Sequence, residues 1–283
     1  MQELIPLESV DYLAVGHVAI DRTPSGLCLG GTVSYAALTA RVLGMRVGIV
    51  TSASETASLQ PLAGIPMVCI PSDSTTEFEN IPSNPGRRQI LHHRAAQILL
   101  DHIPQNWRTA PIIHLAPIAS EFEPGLAADL TANLLGVTPQ GWLRSWDESG
   151  RVFASPWEDP GLVLNQAGAV VLSLDDMDRD LERVESYAHQ TRLLCVTEGA
   201  AGCVVYWNGD RRRFPAPSVD KVDSTGAGDI FASAFFVRLY MTRDPWEAAR
   251  FATQAASFSI SRLGLDGIPT PKEIEDCYME VLP

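Results

Sequence analysis

"VDSTGAGDIF", Val222–Phe231, sets two glycines around an alanine, an aspartate directly after them, and an apolar run behind. Glycines at 226 and 228 let the main chain turn tightly and bare its amides. If a helix begins there, the N–H groups of Gly226, Ala227, Gly228 and Asp229 lack intrahelical partners. The positive end of the helix dipole points outward with them, which makes an anion site suited to phosphate oxygens. Asp229 then falls in the first turn, where the helix terminus is expected to hold its pKa low and keep it ionised. An ionised carboxylate beside a transferring phosphoryl group can take the proton of an attacking hydroxyl, while the amides offset charge on the moving group. An acid in a first turn is also commonly a plain dipole partner, worth roughly 0.3–1 kcal/mol. "IFASAFFV" is apolar nearly all round, so the helix belongs in the core.

Outward from this stretch, strand-like runs alternate with helix-like segments. "YLAVGHVAI" (Tyr12–Ile20) reads as a first strand, "TVSYAALTARVLG" as a helix with a glycine stop, and "RVGIVTSA" as a second strand. "PIIHLAPI" is another strand, followed by a helix over "PGLAADLTANLLG". "AGAVVLSL" is a buried strand, and "DDMDRDLERVESYAHQ" a polar helix with its acids early. "RLLCVTEG" and "GCVVYWNG" are strands around a glycine turn, and the last third holds helices near Gly226–Met241 and Pro245–Gly264. The alternation predicts an α/β fold with a doubly wound, mostly parallel sheet flanked by helices, in one domain over residues 1–283. Ligands in such sheets sit outside the carboxyl ends of the strands. Residues 75–95, "TTEFENIPSNPGRRQILHHRA", break the pattern as two short strands around a Pro/Asn/Gly turn. They are expected to form a small β lid over a site.

Bulk properties exclude several classes. The chain has 283 residues, 46% hydrophobic and 19% charged, which is a globular composition. Its formal net charge of −13 argues against general nucleic-acid binding, which needs basic surface. Lysine occurs only at 221 and 272, neither in the setting of a phosphate-binding P-loop. Five scattered cysteines without a C-x-x-C read as reduced thiols in a cytoplasmic protein, and no histidine spacing suggests zinc. The N-terminus has no basic region of a signal peptide, and no apolar run approaches the roughly 18 residues of a membrane span. The expected partner is a small molecule, with neither nucleic acid nor membrane.

"VDSTGAGDIFASAFF" resembles the C-terminal signature of the ribokinase-like, pfkB-type carbohydrate kinases. "GGTVSYAALTARVLGMRVGIVTSA" is similar to their N-terminal signature, "VTEGAAGCVVYWNG" to their nucleotide-side hairpin, and "AASFSISRLGLDGIPT" to their closing segment. The resemblance spans about Asp11 to Pro271. It implies a ribokinase-like fold and transfer of the γ-phosphate of ATP, with Mg2+, to a hydroxyl of a sugar, polyol or nucleoside. It makes Asp229 the base and Gly226, Ala227 and Gly228 the anion hole. Asp21, after the first strand, would bind substrate hydroxyls, and Gly30 and Gly31 would approach the substrate with their backbone. Thr197, Gly199 and Gly202 would line the nucleotide phosphates and ribose, and Thr253 or Gln254 the adenine edge. Thr225 would serve that side too, and with Asp223 it matches positions that bind a monovalent cation (K+) in many members.

The sequence departs from the family at three places. Tyr35 stands near the usual asparagine of the substrate pocket, and a phenol does not bond sugar hydroxyls as an amide does. "SLDD" (Ser173–Asp176) replaces N-x-x-E, keeping Asp176 as an acid for Mg2+ and losing the amide. "TPQGWLR" leaves Gln140 and Arg144 as partial counterparts of an Asp-Pro-Asn-x-Arg stretch. Arginines 87, 88 and 94 flank the lid, and Arg94 is the one assigned to the substrate. Arg211 to Arg213 read as solvated surface. These departures also motivate an alternative, a catalytically weak relative that senses a nucleotide or sugar. A homodimer through the lid, as in relatives, is compatible with apolar Ile90 and Leu91.

Overall fold

The computed structural model describes residues 7–24, 26–82 and 87–278, with the side chains of 82 and 87 excepted. The turn of the lid, 83–86, the side chain of Arg87 and the first six residues lie outside the described residues. In chain order the strands are β1 (Tyr12–Val15), β2 (Ala19–Thr23), β3 (Gly26–Gly30), β4 (Val47–Ala53), β5 (Met67–Pro71), β6 (Thr76–Pro82), β7 (Arg87–His93) and β8 (Ile112–Leu115). They continue with β9 (Leu134–Val137), β10 (Arg144–Trp146), β11 (Val152–Ala154), β12 (Ala169–Ser173), β13 (Leu193–Thr197), β14 (Cys203–Trp207) and β15 (Asp210–Phe214). The α-helices are α1 (Thr32–Val42), α2 (Gly161–Leu164), α3 (Leu181–Gln190), α4 (Ala227–Thr242), α5 (Pro245–Ser259) and α6 (Pro271–Tyr278).

One nine-stranded sheet runs β15-β14-β13-β12-β9-β8-β1-β4-β5. Its strands from β5 to β13 pair in parallel, and β14 and β15 add antiparallel at one edge. This is the mostly parallel, doubly wound sheet that the alternation predicts. Successive residues of a strand face opposite ways, and both faces are covered. Tyr12, Ala14, Ile49 and Ile112 join α1, α4, α5 and α6 in one core. Leu13, Val15, Val50 and Ile113 join Trp107, Trp142, Trp157 and α3 in the other. Burial on two faces is why the central strands read as unbroken apolar runs. Helix α4 is buried from Ile230 to Val237, as its sequence requires.

Three expectations fail. The run Tyr12–Ile20 is two strands: β1 stops at Val15, and β2 leaves the main sheet for the lid. The break is at Gly16, where a Cβ would collide with the carbonyl of Ala116. The lid is therefore larger than residues 75–95; it is a four-stranded sheet, β3-β2-β6-β7, with β2 parallel to β6. Asp21 thus sits on a lid strand, and not at the end of a strand of the main sheet. Nor is "PGLAADLTANLLG" a helix: Pro124–Asp129 makes 3-10 turns, and "LLGV" becomes strand β9 between β8 and β12. A slot buried on both faces outweighs local helix propensity there. In "DDMDRDLERV", left-handed Asp178 and Arg179 interrupt the helix, and it starts only where the Asp180 side chain accepts from Arg183 N–H.

Candidate active site

The stretch that opens α4 packs against Tyr35 and Thr32 of α1, near Asp21 of the lid. Gly226 takes a left-handed φ of 77° as the N-cap, and a Cβ there would run into the ring of Tyr35. Tyr35, 2% exposed on α1, is thus the surface on which the glycine turn rests. Its phenol is held protonated by burial and by the charges of Asp21, Asp229 and Asp223. Among the described residues, the N–H groups of Gly226, Gly228 and Asp229 donate to no protein acceptor. Ala227 departs from the expectation, because its N–H bonds to the Ser224 carbonyl at 3.3 Å. Three bare amides, and not four, are left at the start of α4.

Asp229 is partly exposed, and its Oδ1 accepts a 2.7 Å hydrogen bond from the Thr32 hydroxyl. Its pKa is not held low. Burial pushes it up to about 6; the Thr32 hydrogen bond opposes, Asp176 and Asp21 add to the rise, and Arg144 subtracts from it. The helix terminus is one influence among several here, and desolvation by surrounding elements wins.

Those elements come from across the chain. Asp21 projects from β2, and a Cβ on Gly30, from β3, would collide with its carboxylate; the bare Gly30 makes room for the acid. Gly31, at φ 85°, is the N-cap of α1, and a Cβ there would run into Ala19 N and His17 O. Arg144, on β10, keeps an 8% exposed side chain. It donates to Gln89 Oε1 at 3.0 Å and faces Asp176 Oδ1 at 3.6 Å. Gln140 Nε2 reaches both Asp176 oxygens at 3.4 Å. Acids and amides thus gather near Asp229 around one compensated guanidinium, which is a setting for hydroxyl groups.

Residues 163–273 match the family model of pfkB family carbohydrate kinases. Ribokinase of Bacillus subtilis is 42% identical over 94 residues, 32% of this chain and 32% of that protein. Fructokinase of Escherichia coli is 29% identical over 192 residues, 60% of this chain and 61% of that protein. The fold matches a pyrophosphate-dependent kinase in the ribokinase family with a TM-score of 0.79 at 19% identity, covering 93% of this chain and 99% of that one. The chain has a ribokinase-like fold and carries a pfkB-type segment over residues 163–273. It spans less than two thirds of the length of those two curated relatives.

In this ribokinase-like chain the residues expected to bind nucleotide fall into two groups. Thr197, at the end of β13, and the turn Gly199–Gly202 lie at the carboxyl edge of the sheet, with Gly199 and Gly202 at φ 58° and 92°. Thr225 donates its N–H and hydroxyl to Asp223 Oδ1. The Thr253 hydroxyl lies 3.6 Å from Sγ of Cys203, which pairs with Thr197 across β13 and β14. Thr253 is 5% exposed and bonds back to Ala249 O, and Gln254 ties α5 to Asp276 O. Asp223 Oδ2 accepts from Gly264 N–H at 3.0 Å. Burial would raise its pKa, but these hydrogen bonds and Lys221 prevail and lower it. Asp223 therefore braces the loop before α4 against the segment after α5. Arg94 is exposed, bonds the Ser120 carbonyl and lies over the Trp146 ring. It pins the lid's exit strand to the loop after β8. Arg88 is exposed on β7.

Among the described residues, no group of three or more His, Cys, Asp or Glu could hold a metal. Mg2+ keeps several waters and takes one or two carboxylates beside phosphate oxygens. Asp176 fits that role as a carboxylate 22% exposed beside Arg144. No described helix is long and apolar enough to cross a membrane. Thr32, Gln89 and Glu121 were not singled out by sequence. Only Thr32 carried a signal, as the polar residue between the di-glycine and a buried helix.

Proposed function

We propose that this chain is an ATP-dependent kinase transferring the γ-phosphate to a hydroxyl of a sugar, polyol or nucleoside. The observation that carries the reading is Asp229 in the first turn of α4, beside three amides with no acceptor among the described residues. The pfkB match over this segment and relatives named ribokinase and fructokinase support it. The amides of Gly226, Gly228 and Asp229 receive the oxygens of the transferring group, and the helix dipole stabilises their charge. Asp229 accepts the acceptor's proton; a pKa near 6 suits a base working near neutral pH. Asp21 and Gln89 orient the acceptor's hydroxyls. Arg144 offsets negative charge around the base. Asp176 would hold Mg2+ beside the nucleotide, and the ion would supply neutralisation of phosphate charge. In the same reading residues 1–283 form one domain whose lid closes over the acceptor. Leu27, 65% exposed on the edge strand β3, is then the place where a second lid would pair in a homodimer.

The test is nucleotide diphosphate release from ATP, or phosphate release from pyrophosphate, across a panel of sugars, cyclitols and nucleosides. Transfer to one class is expected, with Asp229→Asn losing about 10^3-fold or more in kcat. Tight nucleotide or sugar binding with no turnover on any acceptor would instead favour the sensor reading.

A further inference from the structure

We infer that Thr32 is a positioning residue that clamps one oxygen of the Asp229 carboxylate and leaves the other to face the acceptor. The inference rests on reading Asp229 as the base. The Thr32 hydroxyl lies 2.7 Å from Oδ1, and Thr32 is 2% exposed. An ionised carboxylate only accepts, so the hydroxyl donates. Oδ2 accepts from no described residue. Thr32 is itself held. It opens α1 directly after Gly31, where φ is 85° and a Cβ would fall 2.7 Å from Ala19 N and 2.8 Å from His17 O, leaving no space for a side chain. Its branched Cβ restricts χ1. The carboxylate is thus fixed to the root of the lid, where β2 departs, and the starts of α1 and α4 meet at this hydrogen bond.

The charged groups facing Asp229 are Asp21 from β2, Asp176 after β12 and Arg144 from β10. Tyr12 from β1 and Tyr35 from α1 are near as neutral phenols. Among these groups Thr32 makes the hydrogen bond to the carboxylate, and that bond favours its ionised form. Removing it leaves Asp229 free to rotate and more basic, by about one pH unit for a bond of this kind.

The experiment follows the Asp229 carboxyl carbon by 13C NMR titration of the full-length protein without nucleotide, assigned by its loss in Asp229→Asn. It is paired with the pH profile of kcat/KM on the best acceptor. Thr32→Val is expected to raise the titration midpoint by about one pH unit. The acidic limb should move with it, and kcat should fall roughly tenfold with KM little changed. Thr32→Ser, which restores the hydroxyl, is expected to return both. Thr32→Ala serves if the valine variant does not fold. An unmoved midpoint in the variants lacking the hydroxyl overturns the inference, as does an equal shift in Thr32→Ser. A midpoint that responds in a protein showing no phosphoryl transfer removes the base reading and leaves the clamp standing.

Discussion

At neutral pH the Asp229 carboxylate carries charge in a place that favours its neutral form, since burial lifts its pKa to about 6. Two consequences follow for the one residue. Activity should rise with unit slope as pH increases through about 6 and level above it, read from log kcat/KM at saturating donor. The folded protein should also be more stable without the charge. Between the unfolded value, 3.8, and the folded value, about 6, the native state holds the extra proton, so stability declines as pH rises through that window. At pH 7.5 Asp229→Asn is therefore expected to melt higher by a few degrees, about 1–3 kcal/mol, while losing activity. Thermal unfolding of both proteins checks it; a lower melting temperature for the variant would sink the argument. Asp229, its glycines and the apolar helix behind them were legible because they are contiguous. The sign of its pKa shift was not. It is set first by burial, with Asp176 and Asp21 adding to the rise and Arg144 opposing it, and these groups lie far away in sequence and are gathered only by the fold.

At the level of elements, the lid's root is a small network of buried polar groups. Glu121, fully buried, accepts from the N–H groups of His17, Ile118 and Ala119. His17 Nε2 lies 2.9 Å from the Ala96 carbonyl, which only accepts, so that nitrogen carries the hydrogen. Nδ1 then accepts from Thr76, whose oxygen in turn accepts from Ala95 N–H. The network joins the start of β2, the start of β6 and the end of β7 to the loop after β8. Glu121→Gln would turn an amide donor toward backbone donors. It is expected to cost about 2–4 kcal/mol and to lower activity by loosening the lid, measured by denaturant unfolding and kcat/KM. A variant of wild-type stability would show that the carboxylate does not brace this junction. The second half of the lid was legible at 75–95 because turn residues separate two short runs. Its first half was hidden, because "YLAV" and "AI" are joined by Gly16, His17 and Val18 into one apolar stretch whose break depends on Ala116. The same blindness made β9 a helix: "LLGV" has no periodicity of its own, and only its neighbours β8 and β12 specify a strand.

For the whole molecule, proton counting sets the shape of the stability curve. His114 is fully buried between Tyr12 and Thr138, and burial lowers its pKa to about 3. Below the ordinary imidazole value of 6.5 the unfolded chain binds this proton and the native chain does not, so stability is lost as pH falls toward 3. Asp229 acts oppositely between about 6 and 3.8, where the native chain holds a proton that the unfolded chain releases. The two nearly cancel, one proton against one. Wild-type stability should therefore be almost flat from about pH 6 to pH 4.5. Asp11, Asp223, Glu247 and Glu273 have depressed values, held down by Arg46 for Asp11, by the Thr225 and Gly264 hydrogen bonds for Asp223, by Arg250 and Arg238 for Glu247, and by Arg262 for Glu273. Their contribution is present above their unfolded values and is lost as pH falls through the folded ones, so the curve should drop steeply below about pH 4. Salt screens the exposed pairs among them and softens that drop. Asp229→Asn removes the compensating proton. Its stability should fall across the window that is flat in the wild type, by about 1.4 kcal/mol per pH unit, until the two curves meet near pH 4. Chemical denaturation at half-unit pH steps measures both curves. Parallel curves for the two proteins would mean that Asp229 titrates in the folded state as it does in the unfolded chain.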